Sequence, residues 1–449
     1  MPNPAPHTVP KGASQPKRQV AMFVANNMVS DRRVIREATT VATAGFQVTV
    51  HAILQRPTSL PEREEHPGGF TIVRHRIGLL PPLLPIHPRL IALLLHPFWC
   101  AFALMANLAR RVRLPLSGAA MLLVTWGSWA VLASRSARSA EILHAHDLSG
   151  ALPALVALRT RPDATLFYDS HEVFLESGRW AKAPAFLRRL LARWFEQPAL
   201  RRAAALIAVN PQVIEELAKR YEIPAQRVVT YNCPSAWSPE SRDTELRSAI
   251  GVDAAAQVIL YHGGFSAHRG LEELLVAIRD PRLAAAHLVF LGYGPLEGAL
   301  RRAAAEPSLA GRVHVLNAVA PEVLDRWISG ADVGMCTILP STLNHRISTP
   351  NKLFESIAAG VPVVGSDFAP IREIILENPD GPLGAVCDPT NPGEVATAIS
   401  AILSLDASER AALRRRCLSA AATRWNWEVQ AEKLVALYEG AEGSRAVSR

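Results

Sequence analysis

The chain has 449 residues, which is too long for one hydrophobic core and predicts two or three domains. Hydrophobic residues make up 49% and charged residues 20%, a balance that is typical of a globular protein. The net charge of +8 favours contact with anionic lipid or phosphorylated substrates. Nucleic acid is not expected as a partner, because no aromatic–basic binding module is present.

The cysteines predict reduced thiols, and the two ends of the chain predict disordered tails. The five cysteines are far apart and form no Cys-x-x-Cys pair, so neither a zinc site nor a disulfide framework is expected. Reduced thiols in a cytoplasmic protein are the plain interpretation. Residues 1–18 hold Pro, Gly, Ser and Lys without an apolar core and predict a disordered tail, not a signal peptide; residues 441–449 are similar.

The first domain is predicted to cover residues 19–233 and opens with a β-α-β unit. An apolar strand at 19–25 precedes a helix at 32–44 and a second strand at 47–53, which indicates a parallel sheet. Further strands are predicted at 71–76, 140–145, 165–169 and 204–209.

A linker at 234–253, rich in Ser, Pro, Asp and Glu, leads to a second α/β domain at 254–422. Helices alternate there with strands at 258–261, 287–291, 313–316, 333–337, 361–364 and 385–387. The chain closes in a helical stretch over 392–437 that is interrupted near Trp425 to Trp427.

An apolar insertion at about 78–135 departs from an ordinary α/β domain. Residues 114–133 carry no charge, and their length allows a membrane-spanning hairpin. However, a strand of the same domain resumes at Ala140, so both flanks of the insertion must lie on one side of the membrane. We expect helices that dip into or lie on a membrane surface, with Trp99, Trp126 and Trp129 at the interface. Two buried core helices and a packed lid are the alternative.

The run from Ser348 to Asp367 is the most informative stretch for chemistry. Ser348 or Thr349 is predicted to cap a helix that has Pro350 in its first position and ends at Gly360, before a buried strand. The N–H groups and dipole of this helix, with Lys352, favour an anion. Glu355 lies off the apolar stripe, free to bind hydroxyls. A phosphate beside hydroxyls suits a nucleotide-sugar, although an ordinary capped helix fits the same pattern.

Two glycine-rich turns follow strands of the second domain. The turn at 263–270 opens a helix at 271–278, and its glycines let a ligand approach while Arg269 can bind a diphosphate; tight packing alone is the alternative. The turn at 292–298 is not a strict dinucleotide fingerprint, because its third glycine is one position late. An NAD-dependent enzyme is therefore disfavoured.

Polar residues also end two strands of the first domain, at 144–147 and 168–172. Ligands of open α/β sheets bind beyond the carboxyl ends of strands, so His171 and its neighbours are candidate ligand contacts. These histidines and aspartates resemble metal ligands, but no tight ligand spacing is present and no metal is expected.

The run around Lys352 closely resembles the donor-binding helix of the family 4 glycosyltransferases, and the resemblance extends over residues 20–438. It implies the GT-B fold, in which two Rossmann-like parallel-sheet domains face a cleft and a last helix, here 423–440, crosses back to the first domain. It also implies retaining transfer from a nucleotide-diphospho-sugar without metal or other cofactor. The apolar insertion suggests a lipid-linked or glycan acceptor at the inner face of the cell membrane, in cell-surface polysaccharide or glycolipid synthesis.

The resemblance assigns roles to individual residues. Lys352 and Arg269 would stabilise the leaving diphosphate, Glu355 would hold the ribose and His171 would orient the sugar. Donor contacts would come from Gly263, Gly264, Ser266, Gly292, Gly294, Asn317, Val319, Ser348, Thr349, Pro350 and Asn351. Acceptor-side residues would be Asn26, Asn27, Asp31, His146, Asp147 and Glu172.

Two positions depart from the family pattern. Ile347 stands where the first of two paired glutamates is usual, and Gly264 stands where an arginine is usual. Contacts to the donor sugar must therefore differ, through Ser348, His345, Asn344 or the backbone. An inactive scaffold subunit and a GT-B nucleotide-sugar epimerase remain as alternatives.

Overall fold

The computed structural model describes residues 18–54, 59–77, 96–97, 99–105, 117–237 and 244–446. The chain separates into two compact units, one ending at Tyr168 and one beginning at Asp169. Its strands form two sheets, and the change from the first sheet to the second falls between Val229 and Gln257.

The first sheet has eight strands in the order β3-β4-β2-β1-β5-β6-β7-β8. β1 pairs in parallel with β2 and β5, β2 with β4, and β7 with β8, whereas β3 is antiparallel to β4. The strands are β1 (Gln19–Phe23), β2 (Gln47–Leu54), β3 (Arg63–His66), β4 (Phe70–Arg76), β5 (Ile142–His146), β6 (Thr165–Ser170), β7 (Ala205–Ala208) and β8 (Gln226–Val229).

β3 and β8 are absent from the predicted strands, and they have only four residues each. Both lie at the ends of the sheet order, and β3 consists of Arg, Glu, Glu and His. Short, charged edge strands have no buried face and therefore no hydrophobic alternation to detect. The inner strands, such as β5 with all five residues buried, were predicted within two residues at either end.

Seven labelled helices accompany this sheet. Asp31 caps the first of them by accepting a hydrogen bond from the Val34 N–H at 3.2 Å. They are α1 (Arg32–Thr43), α2 (Ser117–Ser136), α3 (Asp147–Leu158), α4 (Gly178–Ala181), α5 (Ala185–Leu191), α6 (Gln197–Arg202) and α7 (Pro211–Ala218). A π-helical turn, Ala192–Glu196, joins α5 to α6.

Much of the predicted membrane insertion lies outside the described residues, namely 78–95, 98 and 106–116. In the described part, Trp126 and Trp129 are buried, and Trp99 packs on α2, where a side chain at Gly127 would meet its ring. The prediction that Trp126 and Trp129 lie at a membrane interface is therefore wrong, because this half of α2 packs against α3. No helix among the described residues combines the length and apolarity needed to cross a membrane.

The second sheet has six parallel strands in the order β11-β10-β9-β12-β13-β14. They are β9 (Gln257–Gly264), β10 (Ala286–Tyr293), β11 (Val313–Asn317), β12 (Val333–Cys336), β13 (Val363–Ser366) and β14 (Gly384–Cys387). The helices that follow β8 are α8 (Glu245–Ala249), α9 (Leu271–Ala277), α10 (Glu297–Ala304), α11 (Pro321–Ser329), α12 (Leu343–Ile347), α13 (Asn351–Ala358), α14 (Ala369–Leu376), α15 (Pro392–Leu403), α16 (Ala407–Thr423) and α17 (Trp427–Ala446).

The predicted linker contains the short helix α8, because Arg247 fixes it to the second sheet. The buried Arg247 guanidinium donates to the carbonyl of Gly330 at 3.0 Å and to the carboxylate of Asp332 at 2.8 Å. One buried arginine thus gives order to a segment whose composition indicates a loop.

The last helix returns to the first sheet, as the sequence predicted. Lys433 Nζ donates to the carbonyl of Val229, the last residue of β8, at 3.5 Å, and Gln430 Oε1 accepts from the Tyr231 N–H at 3.4 Å. Helix α17 begins at Trp427, which confirms the predicted interruption, and it runs to Ala446, beyond the predicted end at residue 440.

Candidate functional site

Helix α13 begins one residue later than predicted. Pro350 is its cap residue, not its first helical residue, and gives no side-chain cap. The predicted caps have other partners: Ser348 Oγ donates to the His345 carbonyl at 3.2 Å, and Thr349 Oγ1 accepts from Asn210 Nδ2 at 3.3 Å. Without a side-chain cap, the N-terminal N–H groups of α13 still attract an anion through the helix dipole.

The predicted end of α13 is confirmed at Gly360, which has a φ of 70°. The following strand starts at Val363 and not at Val361, because its pairing with β12 begins where Gly334 meets Val363.

Lys352 is the cation of the site. Its ammonium lies 3.4 Å from the centroid of the Tyr261 ring, and a Cβ on Gly263 would lie 3.6 Å from its Nζ. Burial lowers the pKa of Lys352 to about 7, opposed by the neighbouring Cys336 and reinforced by the Arg269 guanidinium. A lysine stripped of water in this way gains most from an anionic ligand.

Arg269 lies within electrostatic range of Lys352 and of the loop after β6. Burial lowers the pKa of Lys352 and of His345, and the Arg269 guanidinium lowers both further. The same guanidinium offsets part of the rise that burial causes in the pKa of Glu172. The turn that carries Arg269 is tightly constrained: His268 has a φ of 65°, and Gly270 has a φ of 76°. A Cβ on Gly270 would collide with the carbonyl of Thr337. The two predicted cations, Lys352 and Arg269, therefore lie within electrostatic range of each other.

Glu355 is buried, which corrects the prediction of a free carboxylate. Its Oε2 lies 3.0 Å from His262 Nε2. His262 is not among the predicted site residues, because its only signal in the sequence is a polar residue near the end of an apolar strand. The pair fixes the orientation of the carboxylate relative to β9.

Three predicted donor residues lie in one row at the carboxyl ends of adjacent strands. Gly263 of β9 is in register with Gly292 of β10, which is in register with Asn317 of β11. A Cβ on Gly292 would collide with the Gly263 carbonyl, so glycine is needed for this close approach. The row lies at the carboxyl ends of these strands, where open α/β sheets bind ligands, and Lys352 of α13 lies against its Gly263 end.

The predicted donor residues and their turns also make ordinary hydrogen bonds within the protein. The Gly264 carbonyl accepts from the Tyr261 hydroxyl at 2.9 Å, and Asn317 Oδ1 accepts from Arg301 at 3.0 Å. The turn at Gly294 is joined to the Gly263 turn, since the Phe265 N–H donates to the Tyr293 carbonyl at 2.8 Å. Ser266 and Val319 are half-buried.

His171 and Glu172 follow β6 and approach α12. His171 Nε2 lies 3.1 Å from Asp169 Oδ2, which fixes the imidazole. Asn344 accepts from the Val173 N–H at 3.0 Å and donates to Glu172 Oε2 at 3.3 Å. Asn344 thus holds the loop that carries His171.

The backbone at Ile347, the position where the family usually has a glutamate, is held by a side chain from another loop. The Ile347 carbonyl accepts from Asn210 Nδ2 at 2.7 Å, and the same amide reaches Thr349. Asn210, which also caps α7, was not predicted as a site residue. It ties the segment before α13 to the loop after β7.

In the unit that ends at Tyr168, the predicted acceptor-side residues of the first loop bond to their own loop. Asn26 Nδ2 donates to Asp31 Oδ2 at 2.7 Å, and Asn27 Oδ1 accepts from the Val29 N–H at 3.2 Å. Met28 between them has a φ of 60°. These contacts shape the loop, and the acceptor role of its residues stays a prediction.

The strand end at His146 is also unusual. Asp147 has a φ of 56°, a strained conformation of the kind that is concentrated at functional sites. His144 and His146 stack with ring centroids 4.3 Å apart, and ligand atoms of both lie within 4.8 Å of the Glu37 carboxylate. Arg33 already pairs with Glu37 at 2.9 Å. The absence of a metal stays a prediction.

Two α/β sheets, parallel apart from β3, and a C-terminal helix that returns to the first sheet define the GT-B fold. Solved GT-B structures match the chain closely in fold. A sucrose-phosphate synthase from Thermosynechococcus elongatus superposes with a TM-score of 0.70 at 17% identity, covering 95% of this chain and 100% of that one. HepE of Anabaena in complex with UDP gives a TM-score of 0.67 at 14% identity, covering 94% of this chain and 100% of that one.

Two sequence families match the chain: "Glycosyl transferase 4-like domain" over residues 30–234 and "Glycosyl transferases group 1" over residues 256–405. The chain therefore belongs to the group 1, family 4-like glycosyltransferases. Curated relatives include the alpha-D-kanosaminyltransferase of Streptomyces kanamyceticus, 25% identical over 55% of this chain and 63% of the relative. The amylovoran biosynthesis glycosyltransferase AmsK of Erwinia amylovora is 26% identical over 56% of this chain and 64% of the relative. The chain thus spans less than two thirds of the length of these relatives.

Proposed function

We propose that the protein is a retaining glycosyltransferase that moves a sugar from a nucleotide-diphospho-sugar to a glycan or lipid-linked acceptor in cell-surface polysaccharide or glycolipid synthesis. One observation carries the proposal. The half-buried cation Lys352 lies at the N-terminus of α13, against Gly263 and within electrostatic range of Arg269. Helix dipole, ammonium and guanidinium together suit a diphosphate better than any single anion.

The diphosphate is the leaving group of the proposed reaction. As the glycosidic C–O bond to the diphosphate breaks, negative charge grows on the departing oxygen, and Lys352 and Arg269 stabilise it. The acceptor hydroxyl attacks the same face of the sugar and passes its proton to the departing phosphate. No protein base is needed for this step, and no metal is needed to neutralise the diphosphate.

The remaining roles are those that the family resemblance implies. Glu355, held by His262 at 3.0 Å, binds the ribose hydroxyls. His171, held by Asp169 at 3.1 Å, orients the transferred sugar near its reacting carbon. Because position 347 is isoleucine, the sugar is held by His345, Ser348 and backbone groups before α13.

Similar proteins indicate which donors and acceptors should be tested first. HepE of Anabaena was solved with UDP and with UDP-glucose, which makes a UDP-sugar the first donor to test. The name of AmsK refers to amylovoran biosynthesis, which supports a glycan acceptor.

A donor screen tests the function. Purified protein is incubated with UDP-, GDP- and ADP-sugars, and thermal shift and slow release of free nucleotide are measured with and without EDTA. One donor should give both signals, unchanged by EDTA. A folded protein that responds to no donor would contradict the proposal, and a donor signal abolished by EDTA and restored by Mg²⁺ would contradict its metal-free chemistry.

We further propose that the protein lies peripherally on the inner face of the cell membrane. Leu104 and Met105 support this proposal, since both are exposed in the helical residues 99–105. The variant Leu104→Glu/Met105→Glu should bind phosphatidylglycerol vesicles at least about threefold more weakly, because two apolar side chains are lost from the lipid. Co-sedimentation equal to that of the original protein would show that these residues contribute nothing to binding.

A further inference from the structure

The helical segment after β6 displays large apolar side chains in solvent. Phe186, Leu190 and Trp194 are 72%, 49% and 61% exposed. They recur every fourth residue across α5 and the π-helical turn. We call this set the 186–194 stripe. Three exposed apolar residues in one row are not the scattered exposure that is normal for a soluble surface.

The π-helical turn helps to keep the stripe straight. In a regular α-helix, residues four apart are displaced by about 40° around the axis, so a row of three would wind away from a flat surface. A π turn has i→i+5 hydrogen bonds and advances less per residue, which offsets this drift between Leu190 and Trp194. The three side chains can therefore contact one plane together.

Positive charge runs beside the stripe. Arg189 and Arg193 are exposed, lie three residues after Phe186 and Leu190, and so occupy the neighbouring row of the helix surface. Lys182, which follows α4 and precedes α5, is also exposed. No acidic residue occurs from Lys182 to Phe195. The next one, Glu196, is buried and accepts from the Tyr221 hydroxyl at 2.6 Å.

The opposite side of the segment is fixed to the protein. Leu191, Ala199 and Leu200 are buried, and Arg188 is paired with Glu176 at 3.1 Å. The stripe thus lies on a helix whose orientation is set by packing. An aromatic and aliphatic row flanked by arginines is the pattern of a helix that lies in a lipid interface.

We infer that the 186–194 stripe is a docking surface for an anionic lipid bilayer, with Phe186, Leu190 and Trp194 entering the acyl boundary and Arg189 and Arg193 contacting phosphate headgroups. Charge complementarity favours lipid over a second copy of the chain, because two such surfaces would repel each other. The surface follows the loop of His171 in the chain, so docking would hold that end of the first sheet near a lipid-linked acceptor. This inference rests on the proposed function only for that consequence.

Vesicle co-sedimentation of the full chain tests the inference. The variant Phe186→Ser/Leu190→Ser/Trp194→Ser should bind phosphatidylglycerol-containing phosphatidylcholine vesicles at least about tenfold more weakly, since three apolar anchors are lost. Arg189→Gln/Arg193→Gln should remove most of the preference for phosphatidylglycerol over pure phosphatidylcholine. Val276→Ser, a change at another exposed apolar position, should bind like the original protein.

The outcomes separate the possible occupants. Unchanged vesicle binding of the triple variant, with unchanged thermal stability, would overturn the inference. A dimer of the original protein that becomes a monomer in the triple variant, without vesicle binding by either, would assign the stripe to a second copy and also overturn it. Because the donor screen does not use membranes, its failure would leave the vesicle result intact, and the reverse also holds.

Discussion

Replacing Lys352 with alanine is expected to slow sugar transfer at least about tenfold, a loss of roughly 1.4 kcal/mol of transition-state stabilisation. The ammonium lies against Tyr261 and Gly263 at the start of α13, where charge builds up on the departing diphosphate. Turnover is measured with the donor found in the screen. Lys219→Ala, at an exposed lysine paired with Glu216, is the matched control and should leave turnover unchanged.

The same lysine predicts a pH dependence. Burial lowers the pKa of Lys352 to about 7, so its charge is present below that pH and is lost above it in the empty site. Binding of a nucleoside diphosphate should therefore weaken as the pH rises through about 7 and beyond. Lys352→Arg keeps a charge at every accessible pH and should abolish this dependence. A flat profile in the original protein would contradict the assigned environment of Lys352.

Replacing Glu355 with alanine is the second change with a large expected effect, again at least about tenfold in turnover. The carboxylate is buried and oriented by His262, and we propose that it receives the ribose hydroxyls of the donor. The loss should appear mainly with ribose donors. Glu322→Ala, at an exposed acid on α11, is the control and should have no effect.

Deoxynucleotides sharpen this test. The original protein should bind the ribonucleoside diphosphate more tightly than its 2′-deoxy and 3′-deoxy analogues, and Glu355→Ala should bind all three alike. His262→Ala should reduce the same discrimination in part, because it orients the carboxylate without touching the ligand. If Glu355→Ala kept the full preference for ribose, the ribose would lie elsewhere.

Much of the fold followed from the sequence because the inner strands are strongly apolar and alternate with capped helices. The edge strands β3 and β8 escaped prediction because their four residues are polar or half-buried. Helix α8 escaped because its order depends on the buried Arg247, a contact that composition does not reveal.

The site was predictable only where its residues are adjacent in sequence. The run around Lys352 and the turn at Arg269 each carry a local pattern of glycine, cation and helix start. His262, Asn210 and Asn344 have no such pattern, because each acts on a partner about 90 or more residues away. The sequence likewise could not place Trp129, because an apolar helix suits either a protein core or a lipid surface, and the structure buries this residue in the protein.

The central claim is that the edge formed by Lys352, Arg269 and Gly263 binds the diphosphate of the donor. Calorimetric titration tests it directly, with the nucleoside diphosphate and the plain nucleoside of the base identified in the screen. We predict that the diphosphate binds at least about a hundredfold more tightly than the nucleoside. Lys352→Ala should reduce this ratio of affinities at least about tenfold. Equal affinity for the two ligands, or a difference untouched by Lys352→Ala, would contradict the claim.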